Sequence, residues 1–253
     1  MSDLCLLTVH AHPDDEASKG AGTVARYHAE GVRTVLVTCT GGEEGDIHNP
    51  AMDKPEVREH LAAVRLAELD AAAAVIGFDE AIGRLVAVIR AERPQVILTY
   101  SDDQQGYPHP DHLRVHDISV PAFERAADPS WRPDLGDPWQ PSKLYYTVWS
   151  RARVEGMHRK FLELGLESPF TEEWFSRPSQ DDRITTSVAL DGFEDVRWDA
   201  LLAHATQVDP LSPFWFGLPK DVAGRVHPFD DYVLARSLVD TEVPEDDLFA
   251  GLR

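Results

Sequence analysis

Short apolar runs alternate with longer segments of helical periodicity along the first 150 residues of the chain. The runs have the length of buried strands, and polar or turn-forming residues bound them. This alternation predicts a mostly parallel sheet flanked by helices, that is, an α/β fold. Strands are predicted at Leu4–Val9, Arg33–Thr38, Gln95–Tyr100 and Lys143–Trp149, and helices at Glu16–Glu30, Pro55–Ile76, a segment ending near Arg93, and Asp111–Ala126.

The alternation loosens from about Ser150 onward. Helices are predicted over Val154–Leu164 and Phe193–Gln207, and the loops between them contain proline, tryptophan and aspartate. We therefore expect residues 1–150 to form the core that carries the chemistry. Residues 151–253 are expected to be a looser C-terminal extension that packs on this core within the same domain and shapes the pocket.

Composition narrows the class of protein. The chain has 253 residues, 43% of them hydrophobic, which is enough for one large domain with a substantial core. Its formal net charge is −20, and no basic patch is visible, so no nucleic-acid partner is expected. No apolar run approaches the roughly 18 residues of a membrane helix, and no secretory leader is visible. We expect a cytoplasmic protein without a membrane partner, in which Cys5 and Cys39 are free core residues.

Imidazole and carboxylate side chains crowd the end of the first predicted strand. The segment His10–Glu16 reads His-Ala-His-Pro-Asp-Asp-Glu, and a second His/Asp-rich segment, Gly106–His112, follows the strand that ends at Tyr100. Open α/β sheets bind ligands at the carboxyl ends of their strands. The two segments are therefore predicted to be two halves of one metal site.

The predicted metal ligands are His12, Asp15 and His112. A catalytic zinc site uses three protein ligands and keeps one position open for water. Two imidazoles and a carboxylate also suit ferrous iron, so zinc is expected and Fe(II) is the other candidate. In the competing interpretation these residues cap helices and hydrogen-bond one another. Two such motifs, each at a strand-to-helix switch, favour the metal site.

Proton chemistry is assigned to neighbouring residues. Asp14 is the predicted general base, able to take a proton from water and pass it to a leaving amine, with helix capping as its alternative role. His109 and Tyr107 are expected to stabilise a developing oxyanion, and His109 could also donate a proton; a structural role is the alternative for Tyr107. Asp111 is expected to hold the tautomer of His109.

Substrate contacts are expected from two further positions. Asp46 ends a glycine-rich loop after the second strand, a loop that lacks lysine and is a poor match to a phosphate loop. Lys19 follows Asp15 by four residues, about one helical turn, and is expected to reach an acyl carbonyl or amide; a solvated helix lysine is the alternative. His204 is left open between a functional and a structural role.

The two motifs together resemble the zinc-dependent deacetylases of the LmbE-like, or PIG-L, family. The family signature, a His-Pro-Asp-Asp segment and a later His-Pro-Asp-His segment, is matched by His12–Asp15 and His109–His112. The resemblance implies a Rossmann-like sheet, hydrolysis of amides on glucosamine-containing substrates, and the roles given above to the ligands, to Asp14, and to Tyr107 and His109.

Further segments resemble the members of this family that hydrolyse mycothiol S-conjugates, and they extend over nearly the whole chain. This resemblance implies cleavage of the amide between an S-substituted N-acetylcysteine and glucosaminyl-inositol, a detoxification that releases a mercapturic acid. It also implies inositol contact by Arg65 and sugar contact by Asp46. The segments are His10–Gly20, Thr38–Glu43, Gly106–His112, Ala203–Gln207 and Glu245–Arg253.

Other functions stay open. A deacetylase of N-acetylglucosaminyl-inositol, an amidase acting on a mycothiol adduct in antibiotic biosynthesis, and a sugar-binding protein without catalysis are the alternatives. A nucleotide-binding Rossmann enzyme is disfavoured because no Gly-x-Gly-x-x-Gly follows the first strand. The joint between Phe78 and Gly83 is shorter than the family usually has, so substrate contacts from that segment cannot be assigned.

Overall fold

The computed structural model describes residues 4–41, 46–61, 64, 68, 80–81, 85–103 and 109–253. Seven strands in these ranges form one sheet in the order β3-β2-β1-β4-β5-β7-β6. The first five are parallel where they pair, and β7 runs antiparallel to both β5 and β6. The predicted mostly parallel α/β sheet is confirmed. The strands are β1 (Cys5–His10), β2 (Arg33–Thr38), β3 (Glu80–Ala81), β4 (Val96–Thr99), β5 (Lys143–Val148), β6 (Thr186–Ala189) and β7 (Phe229–Ser237).

The central strands are apolar on both faces because both faces are covered. Leu7 and Val9 of β1 pack into one core cluster, and Leu6, which points the opposite way, packs into another. Strands buried on two sides have nearly continuous apolar sequences. This explains why β1, β2 and β4 were located from the sequence to within a residue or so.

Two helices differ from prediction. The predicted Glu16–Glu30 helix is two helices, because Gly20 adopts φ +89° and breaks it. The predicted Pro55–Ile76 helix is helical to Glu59, is interrupted at His60, and is otherwise mostly outside the described residues. The helices are α1 (Asp15–Ser18), α2 (Ala21–Ala29), α3 (Pro55–Glu59), α4 (Leu85–Glu92), α5 (Pro110–Arg125), α6 (Arg151–Glu163), α7 (Glu172–Ser176), α8 (Val196–Ala203), α9 (Pro213–Phe216) and α10 (Lys220–Val226).

The C-terminal part contributes two strands that the sequence did not predict. β7 contains Asp230 and Asp231, so its sequence has the pattern of an exposed polar segment, although both side chains are buried. The Asp230 carboxylate accepts hydrogen bonds from Thr23 and Arg153 and pairs with Arg197, so its charge is compensated. The predicted division into a core and an extension of one domain stays a prediction.

The last residues are anchored against the sheet. Glu245 forms a buried ion pair with Lys143, their atoms 2.5 Å apart, and accepts a hydrogen bond from the Tyr145 hydroxyl at 2.6 Å. Cys5 is buried as expected, but Cys39 is exposed, because it lies one residue beyond the end of β2. Both thiols are free. None of the helices in the described ranges is long and apolar enough to cross a membrane.

Candidate metal centre and active site

The first motif turns sharply out of β1. Asp14 has φ +112°, a conformation that side chains rarely adopt, and α1 begins directly after it. The backbone N–H of His12 donates to Asp15 Oδ2 at 3.0 Å, which fixes the two residues relative to each other. Asp14 makes no side-chain capping hydrogen bond, so its carboxylate does not serve as the cap of α1.

The second motif opens α5 beside the first. β1 and β4 pair in parallel, so their carboxyl ends meet at one edge of the sheet. His109 is the N-cap of α5, and its Nδ1 accepts a hydrogen bond from the Asp111 backbone N–H at 3.3 Å. His112 is buried and stacks on Tyr100, the ring centroids 4.3 Å apart.

The structure brings the predicted metal ligands together and adds a histidine. Nitrogen atoms of His12, His109 and His112 lie within 4.8 Å of one another. The Asp15 carboxylate lies 3.4 Å from His12 Nδ1 and 3.4 Å from His112 Nε2. The three imidazoles are thus grouped closely enough to hold one ion, and the Asp15 carboxylate contacts two of them. Three imidazoles and one carboxylate suit a zinc or ferrous ion, so the residues fit the metal expected for such a site.

The charges at this site are strongly coupled. Burial alone would raise the pKa of Asp15, but the Lys19 ammonium and hydrogen bonds from His112 and His12 hold that pKa well below its usual range. Lys19 Nζ lies 2.6 Å from Asp15 Oδ1. The hydrogen bond with Asp15 raises the pKa of His12, although burial opposes it. The site already stabilises positive charge next to Asp15, as a metal ligand set must.

Asp14 is placed for proton transfer. Its side chain lines the cavity at the metal-binding end. Burial, together with the neighbouring Asp15 and Glu16 carboxylates and against the opposing charge of Lys19, raises the pKa of Asp14 to about 7. A general base works best when its pKa is near the working pH.

The other predicted site residues are distributed as follows. The Asp111 carboxylate contacts His12 Nε2 at 2.8 Å, so Asp111 reaches His109 through its backbone and His12 through its side chain. Lys19 and the exposed Asp46 both line the cavity. Tyr107 and Arg65 lie outside the described residues.

The cavity extends far beyond the metal-binding end. Its volume is about 1180 Å³, more than the roughly 300–1000 Å³ of typical small-molecule sites. Its lining combines the histidines and carboxylates with a group of aromatic side chains, most of them from the C-terminal part, to which the sequence assigned no function.

Comparison with known proteins identifies the family. A family model described as PIG-L, GlcNAc-PI de-N-acetylase, matches residues 7–83. The mycothiol S-conjugate amidase of Streptomyces coelicolor is 43% identical over 289 residues, covering 99% of this chain and 98% of that protein. The chain belongs to the LmbE-like, PIG-L family. That resemblance, predicted from the two motifs, is confirmed.

Other relatives of this PIG-L chain carry a different name. The 1D-myo-inositol 2-acetamido-2-deoxy-alpha-D-glucopyranoside deacetylase of Streptomyces avermitilis is 37% identical, covering 100% of this chain and 98% of that protein. The structure of N,N'-diacetylchitobiose deacetylase from Pyrococcus horikoshii shares the fold, with a TM-score of 0.62 at 14% identity over 91% of this chain and 83% of that one. The PIG-L chain is thus a hydrolytic enzyme.

The two Streptomyces alignments run over 289 and 296 positions, whereas the PIG-L chain has 253 residues. Both relatives therefore carry residues without a counterpart here. The short joint predicted between Phe78 and Gly83 lies outside the described residues.

The buried side chains of Glu16 and His204 form a pair that supports the first motif, and sequence reasoning did not find this pair. Glu16 accepts hydrogen bonds from the Asp14 backbone N–H at 3.0 Å and from His204 Nε2. Both side chains of this pair have no exposed surface. The pair holds the strained turn at Asp14 in place, which gives His204 a positioning role. The sequence signal for this pair is the segment Ala203–Gln207, which resembles the family. The sequence alone does not identify the partner of His204.

Proposed function

We propose that this enzyme is a metal-dependent amidase that hydrolyses mycothiol S-conjugates at the amide between the S-substituted N-acetylcysteine and glucosaminyl-inositol. The observation that carries the proposal is the size of the cavity, about 1180 Å³, with the proposed metal ligands at one end. An acetyl group would use a small part of this space, whereas a conjugated cysteine needs much of it. The 43% identity to a mycothiol S-conjugate amidase supports the same conclusion.

In this proposal His12, Asp15 and His112 hold the metal, and His109 is close enough to take the place of Asp15. Zinc or ferrous iron would polarise the amide carbonyl and lower the pKa of water. The Asp111 carboxylate orients the His12 ring through its contact with Nε2.

Asp14 is proposed to transfer the proton in this reaction. Its carboxylate accepts a proton from the attacking water, and the carbon–nitrogen bond of the amide breaks as the same proton passes to the leaving amine. The products are a carboxylic acid and the free amine of the glucosamine. His109 lies beside His12 and His112, where it can donate a hydrogen bond to the developing oxyanion, and Tyr107 is proposed to assist it.

Lys19 and Asp46 are proposed to bind the two halves of the substrate. Lys19 lies at the metal-binding end and is proposed to contact the acyl side. Asp46 lies in the loop after β2 and is proposed to contact the sugar, and Arg65 the inositol.

An amine-release assay tests the proposed function. The enzyme loaded with Zn(II), and separately with Fe(II), is supplied with a mycothiol S-conjugate or with N-acetylglucosaminyl-inositol. We expect kcat/KM for the conjugate to exceed that for the acetyl sugar by at least about tenfold, the ratio that 1.4 kcal/mol of added binding gives. Equal or reversed values would overturn the proposal, and release of no amine from either would favour a binding protein.

The second candidate is the biosynthetic deacetylase. It is favoured by the full-length match at 37% identity to a protein of that name. It uses the same metal ligands and the same Asp14, so only the acyl preference in the assay above separates it from the amidase.

A further inference from the structure

Part of the cavity lining is an aromatic wall formed by residues of three separate segments. We call it the aromatic lobe, and it consists of Trp149, Trp174, Phe175, Phe214 and Trp215. All five are partly exposed, and the cavity is the surface that they line.

Phe214 is at the centre of the aromatic lobe. Its ring is parallel to that of Trp149, with centroids 5.9 Å apart and an interplanar angle of 10°, and it lies 5.5 Å from the ring of Trp174. Trp215 meets Trp149 edge-on at 5.7 Å. These separations and angles are those of attractive aromatic pairs, so the rings hold one another in place.

Polar contacts behind the aromatic lobe make it a preformed surface. The Arg151 guanidinium donates to the backbone carbonyls of Phe175 and Arg177, which lie on either side of the end of α7. The Asp181 carboxylate accepts from the backbone N–H groups of Arg151 and Ala152 at 2.7 and 3.0 Å. A wall that is ordered before binding does not have to lose that freedom when a ligand arrives.

The aromatic lobe is joined directly to the metal-binding end. The Trp149 indole N–H donates to the Ser18 carbonyl at 3.2 Å, and Ser18 precedes Lys19. The lobe thus begins beside the residue proposed to contact the acyl side of the amide.

Taken with the proposed function, on which this step rests, we propose that the aromatic lobe binds the substituent on the substrate's sulfur and selects flat aromatic groups. The ring faces of the lobe offer the hydroxyl groups of a sugar or inositol no hydrogen-bond partner, so the lobe gains less from such a group. An aromatic substituent would instead bury apolar area and stack on the rings.

Arg177 adds to this preference. Its guanidinium lies 4.1 Å from the centroid of the Trp174 ring and lines the same cavity. A guanidinium plane packs favourably against electron-rich rings. An aromatic substituent in the lobe would pack against the surface that Trp174 and Phe214 turn to the cavity, beside Arg177.

The test compares S-benzyl and S-methyl conjugates of mycothiol, which differ only in the group assigned to the aromatic lobe. For the metal-loaded wild-type enzyme we expect kcat/KM to favour the benzyl conjugate by about 10- to 100-fold, the range that burial of one aromatic side chain gives. Trp174→Ala and Phe214→Leu should reduce this preference to a few-fold, because kcat/KM for the benzyl conjugate should fall far more than kcat/KM for the methyl conjugate.

Two variants serve as controls. Trp174→Phe retains a ring and should retain most of the benzyl preference. Trp131→Ala removes a tryptophan that does not line the cavity and that packs on Arg125, and it should behave as wild type. Equal loss on both conjugates in Trp174→Ala and Phe214→Leu, or an unchanged preference in both, would overturn the proposal.

A binding measurement separates failure of the lobe from failure of the proposed function. S-Benzyl-N-acetylcysteine, the acid that hydrolysis would release, should quench tryptophan fluorescence saturably in wild type and bind at least tenfold more weakly to Trp174→Ala. S-Methyl-N-acetylcysteine should bind equally weakly to both. If neither conjugate is hydrolysed while the benzyl acid binds as described, the proposed function fails and the aromatic lobe stands. If the benzyl acid does not bind, the lobe assignment fails.

Discussion

Asp15 and His109 are the two candidates for the third position among the proposed metal ligands. The Asp15 carboxylate contacts His12, His112 and Lys19, whereas His109 contributes a nitrogen within 4.8 Å of both other histidines. The sequence predicted Asp15 as the ligand and His109 as an oxyanion group. The geometry permits either arrangement, and the residues differ in what their loss would do.

The metal affinities of single-residue variants distinguish ligation by Asp15 from ligation by His109. We expect His12→Ala and His112→Ala to lose bound metal and activity together, since each removes a donor that both arrangements share. Asp15→Ala should raise the metal Kd by more than the roughly 10- to 100-fold typical of outer residues, and His109→Ala should raise it by less than about tenfold. Chelator competition with metal analysis measures this. The reverse order would make His109 the third ligand.

Asp14 should act on the reaction without holding the metal. Asp14→Asn is expected to keep full metal stoichiometry and to lose about 10²- to 10⁴-fold in kcat, the usual contribution of a general acid or base. Asp117→Asn, on an exposed face of α5, is the matched control and should retain activity. Near-normal turnover in Asp14→Asn with intact metal would exclude Asp14 as the base.

Lys19 should discriminate between the two candidate substrates. Lys19→Ser removes a charged donor from the acyl side, and loss of such a hydrogen bond costs about 1.5–3 kcal/mol. We therefore expect kcat/KM for the mycothiol conjugate to fall roughly 10- to 100-fold relative to that for N-acetylglucosaminyl-inositol. Lys54→Ser, at an exposed lysine, is the control. Equal loss on both substrates would limit Lys19 to its ion pair with Asp15.

At the scale of elements, the break between α1 and α2 is what aims Lys19 into the cavity. Gly20 holds φ +89°, and a Cβ there would meet the buried hydroxyl of Tyr232 at 3.0 Å. Gly31 also has a positive φ, +84°, but has open space around it. A comparison of substitutions at Gly20 and Gly31 therefore separates the cost of backbone strain from the cost of a steric contact.

Gly20→Ala should destabilise the enzyme more than Gly31→Ala. The positive φ alone costs about 1 kcal/mol, which is the expected loss for Gly31→Ala. Contact with Tyr232 should bring the loss for Gly20→Ala to about 2 kcal/mol or more. Urea unfolding measures both free energies. Equal losses would show that Tyr232 moves aside without cost.

β7 carries a carboxylate whose charge stabilises the fold. Burial would raise the pKa of Asp231, but hydrogen bonds from His227, Ser150 and Ser187 lower it to about 2. Because the folded pKa lies below the unfolded value, the stabilisation is complete above about pH 4 and is lost as the pH falls through 2. Asp231 thereby ties β7 to β6 and to the start of α6.

The corresponding variant is Asp231→Asn. We expect its free energy of unfolding at pH 7 to be about 2 kcal/mol lower than that of wild type, and the difference to shrink to about half at pH 3. Asp240→Asn, at an exposed position, should show little difference at either pH. If the loss of unfolding free energy in Asp231→Asn did not depend on pH, then the shape of the Asp231 side chain, and not its charge, would stabilise β7.

At the scale of the whole molecule, the sequence predicted four of the five parallel strands, all but β3, and the residues of the proposed metal site. Both depend on local signals: apolar runs such as Leu4–Val9, and the motif residues that follow them. The antiparallel half was missed because residues far away in the chain pair with Asp230 and hydrogen-bond Asp231, which lets both be buried. The aromatic lobe was missed for a similar reason, since its five residues come from three separate segments and no local pattern unites them.

The order of strands also determines when the sheet can be completed during synthesis. β6 pairs with β7, which is made some forty residues later, and Glu245 completes the contacts of Lys143 and Tyr145. A ribosome adds about 5–20 residues per second, so roughly seven to twenty-seven seconds separate the synthesis of His112, the last of the proposed ligands, from that of Glu245. For this interval the nascent chain carries its proposed metal ligands beside an unfinished sheet. Translation products that stop short of β7 would carry the proposed ligands and the aromatic lobe on a sheet that ends at β5.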